Sequence, residues 1–211
     1  ESDRTSITKA NVIRAAWAIV LARHSDTDDV TFGATVSGRQ APVPGMETIA
    51  GPVLATVPVR VRLEGKQSVD TYLKDIQKQA MDMVQYEQFG LQNISKLSQE
   101  AREACNFSSL LLIQPAQQFF EESSDSVVAP PHPDKYEVGE ALEGYFSYPL
   151  VLQAQVADDH VDLYFSYHSN VVKESHLDAI SHQLDNVINQ LVTKDDAAVE
   201  DISVAGSWDL E

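Results

Sequence analysis

A single cysteine, Cys105, in 211 residues leaves nothing for an internal disulfide framework. Without histidine or acidic neighbours at ligand spacing it also offers no metal site, and it reads as a small packed bystander. Basic residues are scarce too: 15 Lys and Arg stand against 32 Asp and Glu, a formal net charge of -17. That field repels phosphate backbones and anionic membranes alike, so no nucleic acid and no membrane partner is expected. No apolar run is long enough to cross a bilayer, no basic-then-apolar leader opens the chain, and the first residue is Glu1 rather than Met. These features point to a cytoplasmic protein and to a piece cut from a longer chain. Glycines do not gather into a phosphate-cradling loop, and the spacing from Gly33 to Gly38 is wrong for a nucleophile elbow. The Asn-x-Ser triplets at Asn93 and Asn106 are short enough to arise by chance.

What is present is a globular composition, 43% apolar and 22% charged, sized for one domain or one large lobe. Val12, Ala16, Ile19 and Val20 recur at helical spacing between Lys9 and Arg23, which predicts a helix with one face on a sheet. The β-branched stretch Val30 to Val36 predicts a buried strand, ended by Ser37, Gly38 and Arg39. Residues 40 to 52 are dense in proline and glycine and form a structured loop, with one helical turn near Met46 to Ala50. From Val53 to Leu63 every odd position is apolar, which predicts a long strand; Pro58 places it at an edge or a bulge. Ser68 can cap a helix whose core stripe is Val69, Tyr72, Leu73, Ile76, Ala80, Met83 and Val84.

A short helix follows near Ser98 to Ala104, and the unbroken apolar run Phe107 to Ile113 suits a central strand. Residues 117 to 145 are acidic, proline-rich and aperiodic, and read as an exposed crossing. Alternation in 150–156 and 161–167 around Asp158-Asp159 is a hairpin. Leu177, Ile180, Leu184, Val187, Ile188 and Leu191 give a final amphipathic helix, and 196–211 read as linker. The order helix, strand, strand, helix, strand, hairpin, helix predicts an α/β (α+β) fold, an open mixed sheet with packed helices.

Catalytic chemistry is thin. The six histidines are scattered singly, none paired at zinc-ligand spacing on a helix. His182 and Asp185 lie a short helical step apart, the ordinary pattern of a solvated face. His24-Ser25-Asp26-Thr27-Asp28 has the histidine-to-aspartate spacing of chloramphenicol acetyltransferase-type enzymes. No glycine follows the aspartate, however, and His24 closes a helix, where an imidazole suits the negative end of the dipole.

Four motifs nevertheless fall in one order. Gly51-Pro52-Val53-Leu54-Ala55-Thr56-Val57-Pro58-Val59-Arg60 resembles the glycine, two apolar, asparagine, threonine, proline and arginine stretch of condensation domains of nonribosomal peptide synthetases. Phe107-Ser108 with Leu111 and Gln114 resembles that family's phenylalanine-serine strand ending in glutamine. Phe32-Gly33 with Ser37-Gly38-Arg39 is similar as well, and Trp208-Asp209-Leu210 resembles the linker into an adenylation domain. Tyr86-Glu87-Gln88-Phe89-Gly90-Leu91 departs from the family's histidine, proline and phenylalanine, and Ala55 stands where the family has asparagine. The family's double-histidine, aspartate and glycine signature is absent.

The resemblance, to the fungal type, implies a chloramphenicol acetyltransferase-like C-terminal lobe over 1–195 and a linker over 196–211. It implies a reaction in which the amine of a carrier-bound acceptor attacks a carrier-bound thioester, with the catalytic histidine in a missing N-terminal lobe. Phosphopantetheine would be carried by partner peptidyl carrier proteins, with no cofactor bound directly, and an adenylation domain would adjoin. Ser37, Gly38, Arg39, Gly51, Pro52, Ala55, Thr56, Phe107, Ser108 and Gln114 are the implied substrate-channel residues, and none is catalytic. Arg39 is the residue suited to hold the loop, through a carboxylate such as Glu47, or to meet a phosphate. Two other readings share these residues: a non-catalytic carrier-docking module, and a free-standing CoA-dependent acyltransferase subunit, which the absent histidine pair disfavours. A lobe deprived of its other half exposes an apolar cleft, so the isolated chain is expected to self-associate or to bind a hydrophobic dye. A strictly monomeric chain without dye fluorescence would count against a missing half.

Overall fold

The segments read as strands become five strands of one sheet in a computed structural model that describes residues 7–39, 44–45, 48–51, 53–115, 147–206 and 208. The elements are α1 (Lys9–Ser25), β1 (Asp29–Val36), β2 (Ala55–Arg62), α2 (Val69–Met83), α3 (Leu91–Ile94), α4 (Gln99–Ala104), β3 (Ser109–Pro115), β4 (Leu150–Val156), β5 (Val161–Tyr167) and α5 (Glu174–Thr193). Short 3-10 segments follow α2 and α5, at Val84–Phe89 and Val199–Asp201. The acidic stretch 117–145, Pro52 and Glu47 lie outside the described residues.

The strands run in the order β2-β1-β3-β4-β5. β1 and β3 are parallel, as are β3 and β4, while β2 and β5 pair antiparallel at the two ends. Pro58 therefore sits on an edge strand, where its missing amide donor is tolerated. The sheet is mixed and β3 is its centre, as the apolar run there predicts.

Local chemistry sets the helix starts. Thr8 accepts from the Asn11 amide, Ser68 from Thr71 and Ser98 from Ala101, each satisfying a donor that the first turn leaves orphaned. α1 ends where Asp26 turns left-handed at φ 50°. One face of the sheet carries Val30, Phe32 and Ala34 of β1, Val57, Val59 and Val61 of β2, Leu111 of β3, and Leu152 and Ala154 of β4 into the main core. α1 lies there, packed against β1, α2 and α5. The sequence predicts one buried face for α1, whereas everything from Ile13 to Val20 is buried. Helices on both flanks, in addition to the sheet, account for the difference.

One boundary shifts for a physical reason. β3 begins at Ser109 rather than Phe107, and Phe107 joins Leu110 and Val151 in a small cluster separate from the main core. Its ring stacks on Tyr148 with centroids 5.1 Å apart and fills the space beside Gly33. The stretch read as linker is packed over its first part: Val199 and Ile202 lie in the core, and Asn186 donates to the carbonyls of Ser203 at 3.0 Å and Ala205 at 3.2 Å. Trp208 stacks on His182 at 4.6 Å. A polar run with isolated apolar residues thus becomes a strap along α5.

A Cβ on Gly33 would lie 2.1 Å from the Phe107 ring. Gly33→Ala is expected to destabilise the chain by about 1–3 kcal/mol through overpacking. Equilibrium urea unfolding measures this, and an unchanged midpoint would mean the ring moves freely.

Candidate functional site

In open sheets of this kind ligands collect beyond the carboxyl ends of parallel strands. β1 and β3 are parallel neighbours, and a cleft of about 440 Å³ opens where they end. Ala34 to Ser37 and Leu111, Ile113 and Pro115 form its floor; the first turns of α1 and the end of α2 form its walls. A second hollow of about 480 Å³ adjoins it, sharing Ala10, Ile113 and Pro115 and reaching Gln114 and Asp158. Lys9 donates to the carbonyls of Ala157 at 2.8 Å and Asp158 at 2.6 Å, which ties the β4–β5 turn to the start of α1 at this rim.

The cleft is mostly apolar with two buried charges. Arg14, 9% exposed, projects from α1, and its Nε has no acceptor. Its Nη1 makes only a long 3.5 Å bond to Asn11 Oδ1. Asn11 is held in turn by Gln77 Oε1 at 3.2 Å. Glu87, 8% exposed, lines the same cleft from the 3-10 segment after α2. Burial lowers the Arg14 pKa and the Glu87 charge opposes that shift. Burial likewise pushes the Glu87 carboxyl above its usual range, against the pull of Arg14. Among the described residues no ion pair joins the two.

The sequence-derived site residues divide. Ser37 lines the first cleft and Gln114 the second. Gly38 turns at φ 65°, and a Cβ there would meet Gln88 Nε2 at 2.0 Å and the Val53 carbonyl at 2.2 Å, so only glycine fits. Gln88 also donates to that carbonyl, at 3.3 Å. Arg39 donates to the main-chain carbonyls of Ile49 at 3.3 Å and Gly51 at 2.9 Å. It clasps the loop by backbone acceptors, and the carboxylate foreseen for it, Glu47, lies outside the described residues. Gly51 itself is at φ 128°. Ala55 and Thr56 start β2 opposite Val36 and Thr35, next to the cleft floor. Phe107 and Ser108 lie at the other end of β3 and take no part in the cleft. Sequence reasoning missed Arg14, Asn11 and Glu87. A lone arginine between Ile13 and Ala15 on an apolar helix was the available signal, since such a charge is seldom buried without purpose.

No histidine lines either cleft among the described residues. His24 hydrogen-bonds Gln183 at 2.7 Å from the far end of α1, about 15 Å beyond Arg14 at ~1.5 Å per residue. Among the described residues no group of three or more His, Cys, Asp or Glu gathers as for a metal ion, and no helix is long and apolar enough to cross a membrane.

A family profile described as condensation domain matches residues 2–208. The chain belongs to the condensation-domain family. It is 40% identical over 208 residues, 98% of its length, to nonribosomal peptide synthetase dtxS1 of Metarhizium robertsii, of which it covers 2%. It is 41% identical over 193 residues, 91% of its length, to nonribosomal peptide synthetase TES of Alternaria alternata, of which it covers 4%. The chain thus spans a small fraction of the curated relatives it matches. The first condensation domain of the CDA synthetase superposes with a TM-score of 0.68 at 14% identity, covering 93% of this chain and 42% of that one. A four-domain nonribosomal peptide synthetase bound to AMP and glycine gives 0.70 at 10% identity, covering 96% of this chain and 16% of that one. At such identities these two establish the fold. This condensation-domain chain carries the family's glycine-arginine turn with Arg39 as a clasp. Arg39→Ala is expected to speed amide exchange across 48–51 at least tenfold while thermal unfolding shifts by no more than about 2–4 °C, the size of ~1 kcal/mol. Exchange unchanged by the substitution would remove the clasp.

Proposed function

We propose that this chain is the C-terminal lobe of a condensation domain and supplies one wall of a channel in which two carrier-bound substrates meet. The carrying observation is coverage: nearly the whole chain superposes on less than half of a solved condensation domain. The cleft at the strand ends is the wall, with Ser37 at its rim and the Arg39 clasp beside it.

In this reading the amine of an acceptor aminoacyl group attacks the carbonyl carbon of a donor thioester. A C–N bond forms, the C–S bond breaks, the donor arm leaves as a thiol, and the amine loses one proton. No histidine lines either cleft among the described residues; in this reading a histidine of the upstream lobe takes the amine proton and passes it to the leaving sulfur, and the rate rests chiefly on holding amine and thioester together. The phosphopantetheine arms arrive as parts of the substrates, on peptidyl carrier proteins. Ala55 has no amide with which to hold an arm, so that contact is replaced or missing here. In this reading an adenylation domain adjoins the chain after the stretch that packs along α5.

The isolated chain is expected to form no amide from loaded donor and acceptor carriers. Joined to the upstream lobe of its parent protein it regains the reaction, read by mass spectrometry of the acceptor carrier. Turnover by the isolated chain would overturn the placement of the histidine.

A further inference from the structure

Arg14 and Glu87 line the same cleft, both are largely shielded from solvent, and no ion pair joins them among the described residues. Arg14 Nη1 makes its long 3.5 Å contact with Asn11, and Gln77 holds Asn11 at 3.2 Å while also accepting from the Thr8 amide at 3.2 Å, so the partner of the guanidinium belongs to a braced helix start. Its Nε remains a buried donor without an acceptor. Glu87 lines the same cleft from the 3-10 segment after α2.

We infer that Arg14 and Glu87 are the two poles of a receptor for a secondary amide, the carbonyl oxygen meeting Arg14 and the N–H meeting Glu87. The charges decide the ligand class. A phosphate or carboxylate gains from Arg14 but is repelled by Glu87; an ammonium gains from Glu87 but is repelled by Arg14. A neutral group with an acceptor at one end and a donor at the other satisfies both. The cleft that Arg14 and Glu87 line is also lined by Ala34, Val36, Val84 and Leu111, which suits the short alkyl spacers flanking an amide in an extended chain. The inference rests on the reading of the cleft as a channel wall. Under that reading the amide comes from a pantetheine arm or from the peptide chain it carries.

The test is an NMR titration of the labelled 211-residue chain with pantetheine and, separately, with N-acetylglycine N-methylamide. The Arg14 Nε–H and the backbone amides of Thr35, Val36 and Ser37 are followed. Sodium acetate and methylammonium chloride are the controls. Saturable shifts with a Kd of about 1 mM are expected from at least one amide and from neither ion. Response to pantetheine alone assigns the arm, and response to the blocked glycine alone assigns the carried chain. Arg14→Met should weaken binding at least tenfold. Arg14→Met/Glu87→Gln, which removes both charges at similar volume and so protects the fold, should abolish it. Shifts with neither amide, equal shifts with acetate, or unchanged binding by the double variant would overturn the receptor. Amide synthesis by the two-lobe protein with neither probe binding would sink this inference and leave the proposed function standing; probe binding by a chain whose two-lobe form is inactive would do the reverse.

Discussion

Trp17 is fully buried, and an indole N–H in that position needs an acceptor. Ser109, the first residue of the central strand, supplies it at 3.1 Å. That bond fixes where α1 lies along β3, and the other elements are arranged about the pair. Tyr72 donates to the Ala15 carbonyl at 2.9 Å and brings α2 alongside, while α5 packs on the other contacts of α1. Ala15, Ala16, Ala18 and Ala22 let those neighbours approach closely. Arg14 lies three residues before Trp17, hence one turn along the same side of the helix. Once Trp17 is tied to Ser109, Arg14 is carried over Leu111 and Ile113, which is where the cleft begins.

The parts of this arrangement that depend on local period were legible. β2, β4 and β5 alternate, Ser68 caps, Pro58 marks an edge, and each became what its neighbours in the chain dictate. What depended on distant neighbours was not. Nothing local says that α1 is enclosed by two helices as well as a sheet, since an apolar helix looks alike whether one side or all sides are covered. Phe107 belongs to an apolar run, yet the absence of a side chain at Gly33, 74 residues earlier, decides where its ring goes. Val199 and Ile202 stand alone in polar sequence, and only the groove beside α5 gives them a reason to be buried.

The candidate site divides along the same line. Gly38 and Arg39 were readable because a glycine at positive φ and a clasp to nearby carbonyls are short-range devices. Phe107 carries a family motif and packs at the opposite end of its strand, while Ser108 beside it is exposed. A motif residue marks what the fold needs as readily as what the substrate touches. Arg14 and Glu87 are 73 positions apart in sequence and share a cleft only because α1 and the 3-10 segment after α2 flank the same strand ends.

Stability alone does not account for that placement. A buried charge couple in imperfect contact is often no better than apolar groups of the same volume, and α1 is otherwise built to be apolar. Two charges held apart in a cleft are therefore more economically explained by something that enters between them. The field around the chain bears on what that is. With a net charge of -17 the surface disfavours anions, and within the cleft Glu87 cancels the attraction that Arg14 alone would exert on them. Selection at the cleft mouth thus falls on dipolar, uncharged groups, and it operates through repulsion of both kinds of ion as much as through attraction of the right ligand.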